Sequence, residues 1–258
     1  MPGLLHDKII LVTGAGRGLG RAFAHAAADA GAASVIVAEL NEGWGRATVS
    51  QLLDKGADAT FLPLDLGEPA SVTAMADAIG QRFGRLDGLV NNGAIATDIG
   101  GKTFEQIDIE TWDRVMRVNV RGTWLAIKAC AQLLRAGAAR ENKGARIVNL
   151  ASDTALWGAP RLLHYVGSKG AIIAMTRSLA RELGPDQIAV NCIAPGLTLV
   201  EATEYVPQER HDFYVDNRAM PRKQTPEDVT GACVFLLSDG AAFVTGQLLP
   251  VNGGIVFN

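Results

Sequence analysis

Cysteine and histidine are scarce in this sequence, and neither falls in a metal-binding or disulfide pattern. Cys130, Cys192 and Cys233 lie far apart, no CxxC pair occurs, and the whole chain has four histidines. Zinc sites and small disulfide frameworks need closely spaced ligands or paired cysteines. We therefore expect no metal site and interpret the three cysteines as reduced thiols in the core.

Long apolar runs and an excess of positive charge are also missing. No apolar run reaches the roughly 18 residues of a membrane span, and MPGLLHDKIILVTG at the N-terminus has no basic segment before a long apolar one. We expect a cytoplasmic protein with no membrane contact. The net charge of -3 gives no basic footprint for a nucleic acid, so a small molecule is the expected partner.

Seven short apolar runs alternate with longer segments of helical period. The runs are KIILVT (8–13), SVIVA (34–38), ATFLPL (59–64), LDGLVN (86–91), ARIVNLA (145–151), IAVNCIAP (188–195) and QLLPVNG (247–253). Such runs are typical of parallel strands buried on both faces. The alternation predicts an α/β fold with a doubly wound sheet. Because no linker or repeat interrupts it, we expect residues 1–258 to form a single domain.

A glycine-rich turn, TGAGRGLG at residues 13–20, directly follows the first predicted strand. Gly14, Gly18 and Gly20 fall where the strand turns into a helix, so backbone N–H groups there can approach a pyrophosphate at the positive helix end. A glycine turn alone is also compatible with a plain strand-to-helix connection. Placed at the first strand of a doubly wound sheet, it predicts a dinucleotide site.

Two charged residues bear on which dinucleotide binds. Glu39 follows the second strand about 20 residues past the glycines, where a carboxylate can accept hydrogen bonds from the adenosine ribose. A 2′-phosphate would meet like charge there, which favours NAD. Arg17, inside the turn, favours NADP because a guanidinium can pair with that phosphate. We expect NAD, with NADP less favoured and plain solvated loop charges as the remaining interpretation.

A tyrosine and a lysine one helical turn apart are candidates for chemistry. Tyr165 and Lys169 lie in HYVGSKGAI, and their spacing puts both on one face of a predicted helix. Oxidation of an alcohol needs a base near working pH, whereas free tyrosine has a pKa of about 10. The Lys169 ammonium and an oxidised nicotinamide ring should lower the pKa of Tyr165. Alone, the pair is also typical of an amphipathic surface helix.

Six motifs occur in a fixed order, which is far more specific than any one of them. They are TGAGRGLG, LDL around Asp65, NNGA at residues 91–94, NV at Asn119, Ser152, and YVGSK at residues 165–169. From residue 8 to about 254 the chain resembles the short-chain dehydrogenase/reductase family. The resemblance implies a single Rossmann-like domain with a seven-stranded parallel sheet, commonly in a homotetramer, and a nicotinamide cofactor that interconverts alcohols and ketones.

The resemblance implies a catalytic role for four residues, namely Asn119, Ser152, Tyr165 and Lys169. Tyr165 would be the acid/base, and Lys169 would also hold the nicotinamide ribose. Ser152 would hydrogen-bond the substrate oxygen, and Asn119 would hold a water that replenishes the proton. The residues expected at the cofactor are Gly14, Arg17, Gly18, Leu19, Gly20, Glu39, Leu40, Asp65, Leu66, Asn92, Gly93, Tyr165, Lys169, Pro195 and Thr198.

Two departures from the family's pattern concern the cofactor. The usual NNAG is NNGA here, which moves the glycine one place earlier, to Gly93 beside the ribose. Val200 stands five residues after Pro195, where the family usually has a threonine bonded to the nicotinamide amide. We expect Thr198 or the local backbone to make that contact.

The longest irregular stretch is predicted at residues 197–224. Its aromatic residues, including Tyr205 and Tyr214, suit a lid over the site. Together with the positions after Ser152, this lid predicts a mainly apolar pocket for a medium-sized, cyclic or aromatic secondary alcohol or ketone. Five charged residues count against a purely apolar pocket, although solvated loop charges are their commoner interpretation: Arg161, Glu201, Glu204, Glu209 and Arg210.

Other functions and the assembly remain open. An NADPH-dependent 3-oxoacyl carrier-protein reductase would suit Arg17 but needs a basic patch, for which the candidates are Arg135, Arg140, Lys143, Arg222 and Lys223. A non-catalytic dinucleotide-binding regulator would be favoured if one of the four residues with an implied catalytic role were missing. Reduction of a carbon–carbon double bond would be favoured by a changed spacing of those four residues.

Predicted long helices at residues 111–134 and 170–184 have wide apolar faces that suit a subunit interface or the sheet.

Overall fold

Seven strands and nine α-helices make up the computed structural model, which describes residues 3–140 and 143–257. The strands are β1 (Ile9–Thr13), β2 (Ser34–Glu39), β3 (Ala59–Pro63), β4 (Gly88–Asn91), β5 (Ala145–Leu150), β6 (Ile188–Pro195) and β7 (Leu248–Val251). The helices are α1 (Gly18–Asp29), α2 (Glu42–Asp54), α3 (Pro69–Phe83), α4 (Ile109–Val115), α5 (Thr123–Ala139), α6 (Thr154–Trp157), α7 (Leu163–Leu183), α8 (Gln208–Asn217) and α9 (Glu227–Leu237).

All seven strands are parallel, in the order β3-β2-β1-β4-β5-β6-β7. This confirms the predicted Rossmann-like, doubly wound sheet in a single domain, and each predicted run corresponds to one strand, with β2 extending one residue past its run to Glu39. The strand order reverses between β1 and β4. Ligands of such sheets bind at the carboxyl ends of the strands beside this reversal.

The strands are continuous apolar runs because helices cover both faces of the sheet. In β1, Ile9 and Leu11 pack in the layer of α3 and α5, whereas Ile10 and Val12 pack in the layer of α1 and α9. Burial on both faces is what a parallel sheet requires. The three cysteines are free and buried, as predicted.

Two expected elements differ from the structure. Residues 197–224 are not irregular throughout, because they contain a 3₁₀ turn at Glu201–Thr203 and helix α8. The sequence pattern does not predict α8, because Tyr214 is the one buried residue of this helix and one residue makes no apolar stripe of helical period. The long helix predicted at residues 111–134 is interrupted by a π-helical segment, Met116–Gly122, between α4 and α5.

A chain of buried side-chain hydrogen bonds ties α7 to the centre of the sheet. The amide nitrogen of Asn91 in β4 donates to the Asn149 carbonyl oxygen in β5 at 2.9 Å. The Asn149 amide nitrogen donates to the Thr176 hydroxyl of α7 at 2.9 Å, and that hydroxyl donates to the Ile172 carbonyl at 2.8 Å. Every side-chain donor of this network is paired, whereas the Asn91 side-chain oxygen has no partner among the described residues, and a buried network loses stability with each further group left unpaired.

Replacing Asn149 by leucine should therefore destabilise the fold. The Asn149→Leu change leaves the Asn91 donor and one side of the Thr176 hydroxyl unpaired, which should lower the free energy of unfolding by about 3 kcal/mol. Urea unfolding measures this loss. The matched control is Asn217→Leu at the exposed end of α8, with an expected change below about 0.5 kcal/mol. Equal effects of the two changes would contradict the role of the network.

Candidate active site

One cleft of about 690 Å³ runs along the carboxyl edge of the sheet, from the glycine turn to residues 197–224. Every residue predicted at the site lines this cleft except Asn119. The lining residues among them are Gly14, Arg17, Gly18, Leu19, Gly20, Glu39, Leu40, Asp65, Leu66, Asn92, Gly93, Ser152, Tyr165, Lys169, Pro195 and Thr198. Residues up to 184 positions apart in sequence thus meet where the strand order predicts a ligand.

The turn after β1 requires glycine for conformation and for space. Gly14 has φ +62°, and a Cβ on Gly20 would lie 2.0 Å from the Gly14 carbonyl oxygen. Asn92 fixes the turn from the end of β4, since its amide nitrogen donates to the carbonyls of Thr13 at 3.1 Å and Gly14 at 3.0 Å. The rigid backbone leaves room for a pyrophosphate at the start of α1.

The shifted glycine of NNGA has a packing reason. A Cβ on Gly93 would lie 2.8 Å from a methyl carbon of Leu66, and the Gly93 N–H donates to the Thr13 hydroxyl at 3.0 Å. A Cβ on Gly14 would itself lie 2.7 Å from the Gly93 Cα. The backbone after β4 therefore packs directly against the glycine turn, and a larger residue at position 93 would require the Leu66 side chain to shift.

Glu39 and Arg17 lie on the adenosine side of the cleft. The Glu39 carboxylate is buried and accepts hydrogen bonds from the backbone N–H of Gly16 at 3.0 Å and of Asn41 at 3.1 Å. Each carboxylate oxygen keeps acceptor capacity for a ribose hydroxyl. The Arg17 guanidinium lies 4.4 Å from the centre of the Trp44 ring. Trp44, which also lines the cleft, was not identified from the sequence.

Asp65 and Leu66 follow β3 on the same side. The Asp65 carboxylate accepts from the Gly67 N–H at 2.7 Å, while its own N–H donates to the Ser71 hydroxyl at 2.9 Å. These two bonds set the loop that passes the cleft. Leu66 is buried against Gly93 and Gly122.

Ser152 and Lys169 are held by hydrogen bonds at the end of β5. The Thr154 hydroxyl donates to the Ser152 hydroxyl oxygen at 2.8 Å, which leaves the Ser152 proton to point towards the cleft. The Lys169 ammonium donates to the Leu150 carbonyl at 2.7 Å and lies 5.6 Å from the centre of the Tyr165 ring. The three side chains predicted to contact the reacting groups are therefore adjacent in the cleft.

Burial favours the neutral forms of Tyr165 and Lys169. It raises the pKa of Tyr165 to about 12, against a smaller lowering by its hydrogen bond with Ser152. It lowers the pKa of Lys169 to about 8. The expectation that Lys169 depresses the pKa of Tyr165 is not met by the protein groups alone, because loss of hydration and the nearby Asp153 and Tyr205 all raise this pKa.

Asn119 lies behind the cleft, in the π-helical segment. Its carbonyl oxygen accepts from the Ile95 N–H at 2.8 Å, and its amide nitrogen donates to the Ile95 carbonyl at 3.1 Å and to the Ser168 hydroxyl at 3.1 Å. The Ser168 hydroxyl donates in turn to the Tyr165 carbonyl at 2.7 Å. The Asn119 side chain therefore positions the loop after β4 and the first turn of α7.

Residues 197–224 close the other side of the cleft. The Tyr205 hydroxyl donates to the Ala96 carbonyl at 2.8 Å. Glu201 accepts from the Gly18 N–H at 3.1 Å and pairs with Arg21 at 2.5 Å, so its interpretation as a solvated loop charge is wrong. The Thr198 hydroxyl donates to the Gly196 carbonyl at 3.0 Å, which leaves its oxygen able to accept from a nicotinamide amide.

An aromatic cluster packs α8 onto α6 beside Ser152. The Trp157 and Phe213 ring centres are 5.6 Å apart, and those of Trp157 and Tyr214 are 6.3 Å apart. The Tyr214 hydroxyl donates to Asp153 at 2.9 Å, and burial raises the pKa of the Asp153 carboxyl to about 7. His164 is fully buried and does not line the cleft. Burial lowers the pKa of this histidine.

Within residues 3–140 and 143–257, no three His, Cys, Asp or Glu side chains are grouped so as to hold a metal ion. Among the helices of the described residues, none is both long enough and apolar enough to cross a membrane.

Known proteins resemble this chain along its whole length. The model of a family described as enoyl-(acyl carrier protein) reductase matches residues 14–256. The 2-(S)-hydroxypropyl-CoM dehydrogenase 3 of Xanthobacter autotrophicus is 37% identical over 261 residues, which cover 99% of each chain. The cyclopentanol dehydrogenase of a Comamonas species is 35% identical over 259 residues, or 99% of this chain and 100% of the relative.

A solved structure shares the fold. The gluconate 5-dehydrogenase of Burkholderia cenocepacia, in complex with NADP and tartrate, has a TM-score of 0.89 and 28% sequence identity. The alignment covers 98% of this chain and 97% of that chain.

The pKa shifts predict an unusual tyrosine titration. All three tyrosines have a raised pKa, chiefly because burial disfavours the phenolate, so the protein without cofactor should show less tyrosinate at pH 10 than three free tyrosines, each of which is about half ionised there. The ultraviolet absorbance of tyrosinate measures this, and Tyr165→Phe identifies the contribution of that residue. A one-tyrosine step near neutral pH that Tyr165→Phe removes would contradict the burial effect.

Proposed function

The chain belongs to the short-chain dehydrogenase/reductase family, whose members are oxidoreductases that act on alcohol and carbonyl groups, and we propose that it is an NAD(H)-dependent enzyme interconverting a secondary alcohol and a ketone. The observation that carries the proposal is the placement of Ser152, Tyr165 and Lys169 in the same cleft as the glycine turn. A dinucleotide lying along this cleft would present its nicotinamide beside the three side chains.

We assign the proton transfer to Tyr165. In the oxidative direction its phenolate takes the hydroxyl proton of the alcohol while the carbon-bound hydrogen leaves as hydride, and Ser152 donates a hydrogen bond to the oxygen that becomes the carbonyl. A bound nicotinamide supplies the hydride acceptor or donor and, when oxidised, a positive charge. Lys169 would hold the nicotinamide ribose, and its ammonium would then act with that charge to lower the pKa of Tyr165.

We propose two roles for Asn119: it holds a water, and it positions the backbone of Ile95 and the side chain of Ser168. Its side-chain amide is engaged by Ile95 and Ser168, so a water at this residue would use other neighbouring groups to reach Lys169. The π-helical turn alters the backbone hydrogen bonding around Asn119, and such turns are frequent at functional sites.

Glu39 supports NAD as the cofactor. Its carboxylate lies beside the adenosine end of the cleft, where a 2′-phosphate would meet like charge. Arg17 supports NADP as the alternative, because its guanidinium is at the same end of the cleft. The gluconate 5-dehydrogenase with the shared fold was solved with NADP, which keeps this alternative in the test below.

The proposed substrate is medium-sized and cyclic or aromatic. Leu162, Val206 and Tyr205 line the substrate end of the cleft, in keeping with an apolar pocket. The Comamonas relative is a cyclopentanol dehydrogenase, which makes cyclopentanol a suitable first test compound.

A carrier-protein reductase is the weaker candidate. Three of the cations suggested for a carrier-binding patch are paired with aspartates: Arg135 with Asp186 at 2.6 Å, Arg140 with Asp7 at 3.3 Å and Arg222 with Asp228 at 2.5 Å. Paired cations attract an acidic partner less strongly. A non-catalytic regulator is disfavoured because Ser152, Tyr165 and Lys169 are intact and adjacent.

A homotetramer in the cytoplasm remains part of the proposal. Ile109, Trp112 and Trp124, on α4 and α5, are exposed large apolar side chains, and Ile109 is 78% exposed. Apolar surface of this kind is typical of a contact between subunits. Sedimentation at micromolar concentration tests the assembly, and a stable monomer would exclude it.

Removing the phenol hydroxyl should abolish turnover. We expect Tyr165→Phe to lose about 10³-fold or more in kcat with NAD and cyclic secondary alcohols, because the acid/base group is gone, while NADH binding stays within about threefold. Tyr205→Phe removes a second phenol of the cleft and should lose far less. Turnover by Tyr165→Phe near the wild-type rate would exclude the assigned role.

Glu39 should set the cofactor preference. Titration by calorimetry at fixed salt should show NADH binding at least about tenfold tighter than NADPH, or about 1.4 kcal/mol. Glu39→Ala should reduce that ratio at least tenfold, whereas Glu42→Ala, an exposed carboxylate three residues away, should leave it unchanged. Tighter binding of NADPH by the wild-type protein, or an unchanged ratio in Glu39→Ala, would contradict the NAD assignment.

A further inference from the structure

Arg210 of α8 is a cation that faces the cleft. It is half-buried and lines the same cleft as Ser152 and Tyr165. Its guanidinium carbon lies 4.8 Å from the centre of the Trp157 ring, on the short helix that begins two residues after Ser152. Arg210 thus lies on a helix that borders the cleft and not in an irregular loop. This side chain lies at the substrate end.

The neighbouring arginines have partners that Arg210 lacks. Arg21 pairs with Glu201, and Arg222 pairs with Asp228. Arg218 donates to the Leu197 carbonyl and the Gln224 side chain. For Arg210, in contrast, no hydrogen bond or ion pair is found within residues 3–140 and 143–257, so its five N–H donors are available to a ligand.

The nearby acid does not cancel this charge. Asp153 is fully buried, it already accepts from the Tyr214 hydroxyl, and its charge is shared between Arg210 and Arg218. Burial raises the pKa of the Asp153 carboxyl to about 7, so only part of a negative charge remains at neutral pH. The substrate end of the cleft thus combines apolar walls with the Arg210 guanidinium, in addition to the Lys169 ammonium that is bonded to the Leu150 carbonyl, and such positive charge attracts an anion.

We propose that Arg210 is a specificity residue that binds an anionic group, in the first place a carboxylate, on the alcohol substrate. The inference rests on the proposed function, in which Ser152 and Tyr165 hold the reacting hydroxyl. Stacking on Trp157 fixes the guanidinium, and the N–H groups at its edge match a carboxylate in two parallel hydrogen bonds. The substrate class becomes a hydroxy acid or keto acid with an apolar, ring-sized body.

A pair of nearly isosteric probes tests the charge. Calorimetry measures 3-hydroxycyclohexane-1-carboxylate and 3-hydroxycyclohexane-1-carboxamide binding to the protein saturated with NADH, a complex in which no turnover occurs. We expect the carboxylate to bind at least tenfold tighter in the wild-type protein. Arg210→Gln should abolish this difference, Arg210→Lys should retain part of it, and Arg82→Gln, a surface arginine outside the cleft, should retain all of it.

The neutral probe separates a binding role from a structural one. If Arg210 only holds α8 on Trp157, Arg210→Gln weakens both probes equally and the ratio stays unchanged, which would overturn the inference. Equal binding of the two probes by the wild-type protein, or no detectable binding of the carboxylate, would also overturn it. Failure of the proposed function is a separate result, in which the carboxylate preference persists but NAD-dependent oxidation of every alcohol in the panel is absent.

Discussion

The arrangement of the site depends on the hydrogen bonds of one buried amide, that of Asn119. Its two ends hold both backbone groups of Ile95, and its nitrogen also reaches Ser168, which bonds to the backbone of Tyr165. Three pieces of chain that are distant in sequence are thereby joined behind the cleft. An amide is suited to this task because it donates and accepts at once without carrying a charge into a buried place.

Much of the architecture is predictable from the sequence, since the strands are buried on both faces and their apolar runs are unbroken. The glycine turn is also predictable, because local backbone requires glycine there: Gly14 has a positive φ, and a Cβ on Gly20 would collide with the Gly14 carbonyl oxygen. Helix α8 is not predictable in this way. Its interactions with Trp157 and Asp153 are tertiary, and its sequence alone has no apolar stripe.

The site residues likewise include some that a local sequence pattern identifies and others that only the folded chain identifies. Tyr165 and Lys169 are recognisable because they share one turn of a helix, and Glu39 because it ends a strand. What these groups do in the fold depends on contacts that no local pattern contains. Glu39 bonds to Gly16, 23 positions away, and Glu201 bonds to Arg21 across 180 positions. Arg210 is distinguished by its place over Trp157 and by having no such partner among the residues that the structure describes, and both are properties of the folded chain.

The bond between Glu201 and the start of α1 has a consequence for engineering. This carboxylate belongs to residues 197–224, which close the substrate side of the cleft, yet it accepts from the Gly18 N–H and pairs with Arg21, both in the helix that begins at the glycine turn. These two contacts therefore link the substrate side of the cleft to the helix at its cofactor side. A chimera that takes residues 197–224 from a relative must carry a compatible residue at position 21, or the graft will alter cofactor affinity along with substrate choice.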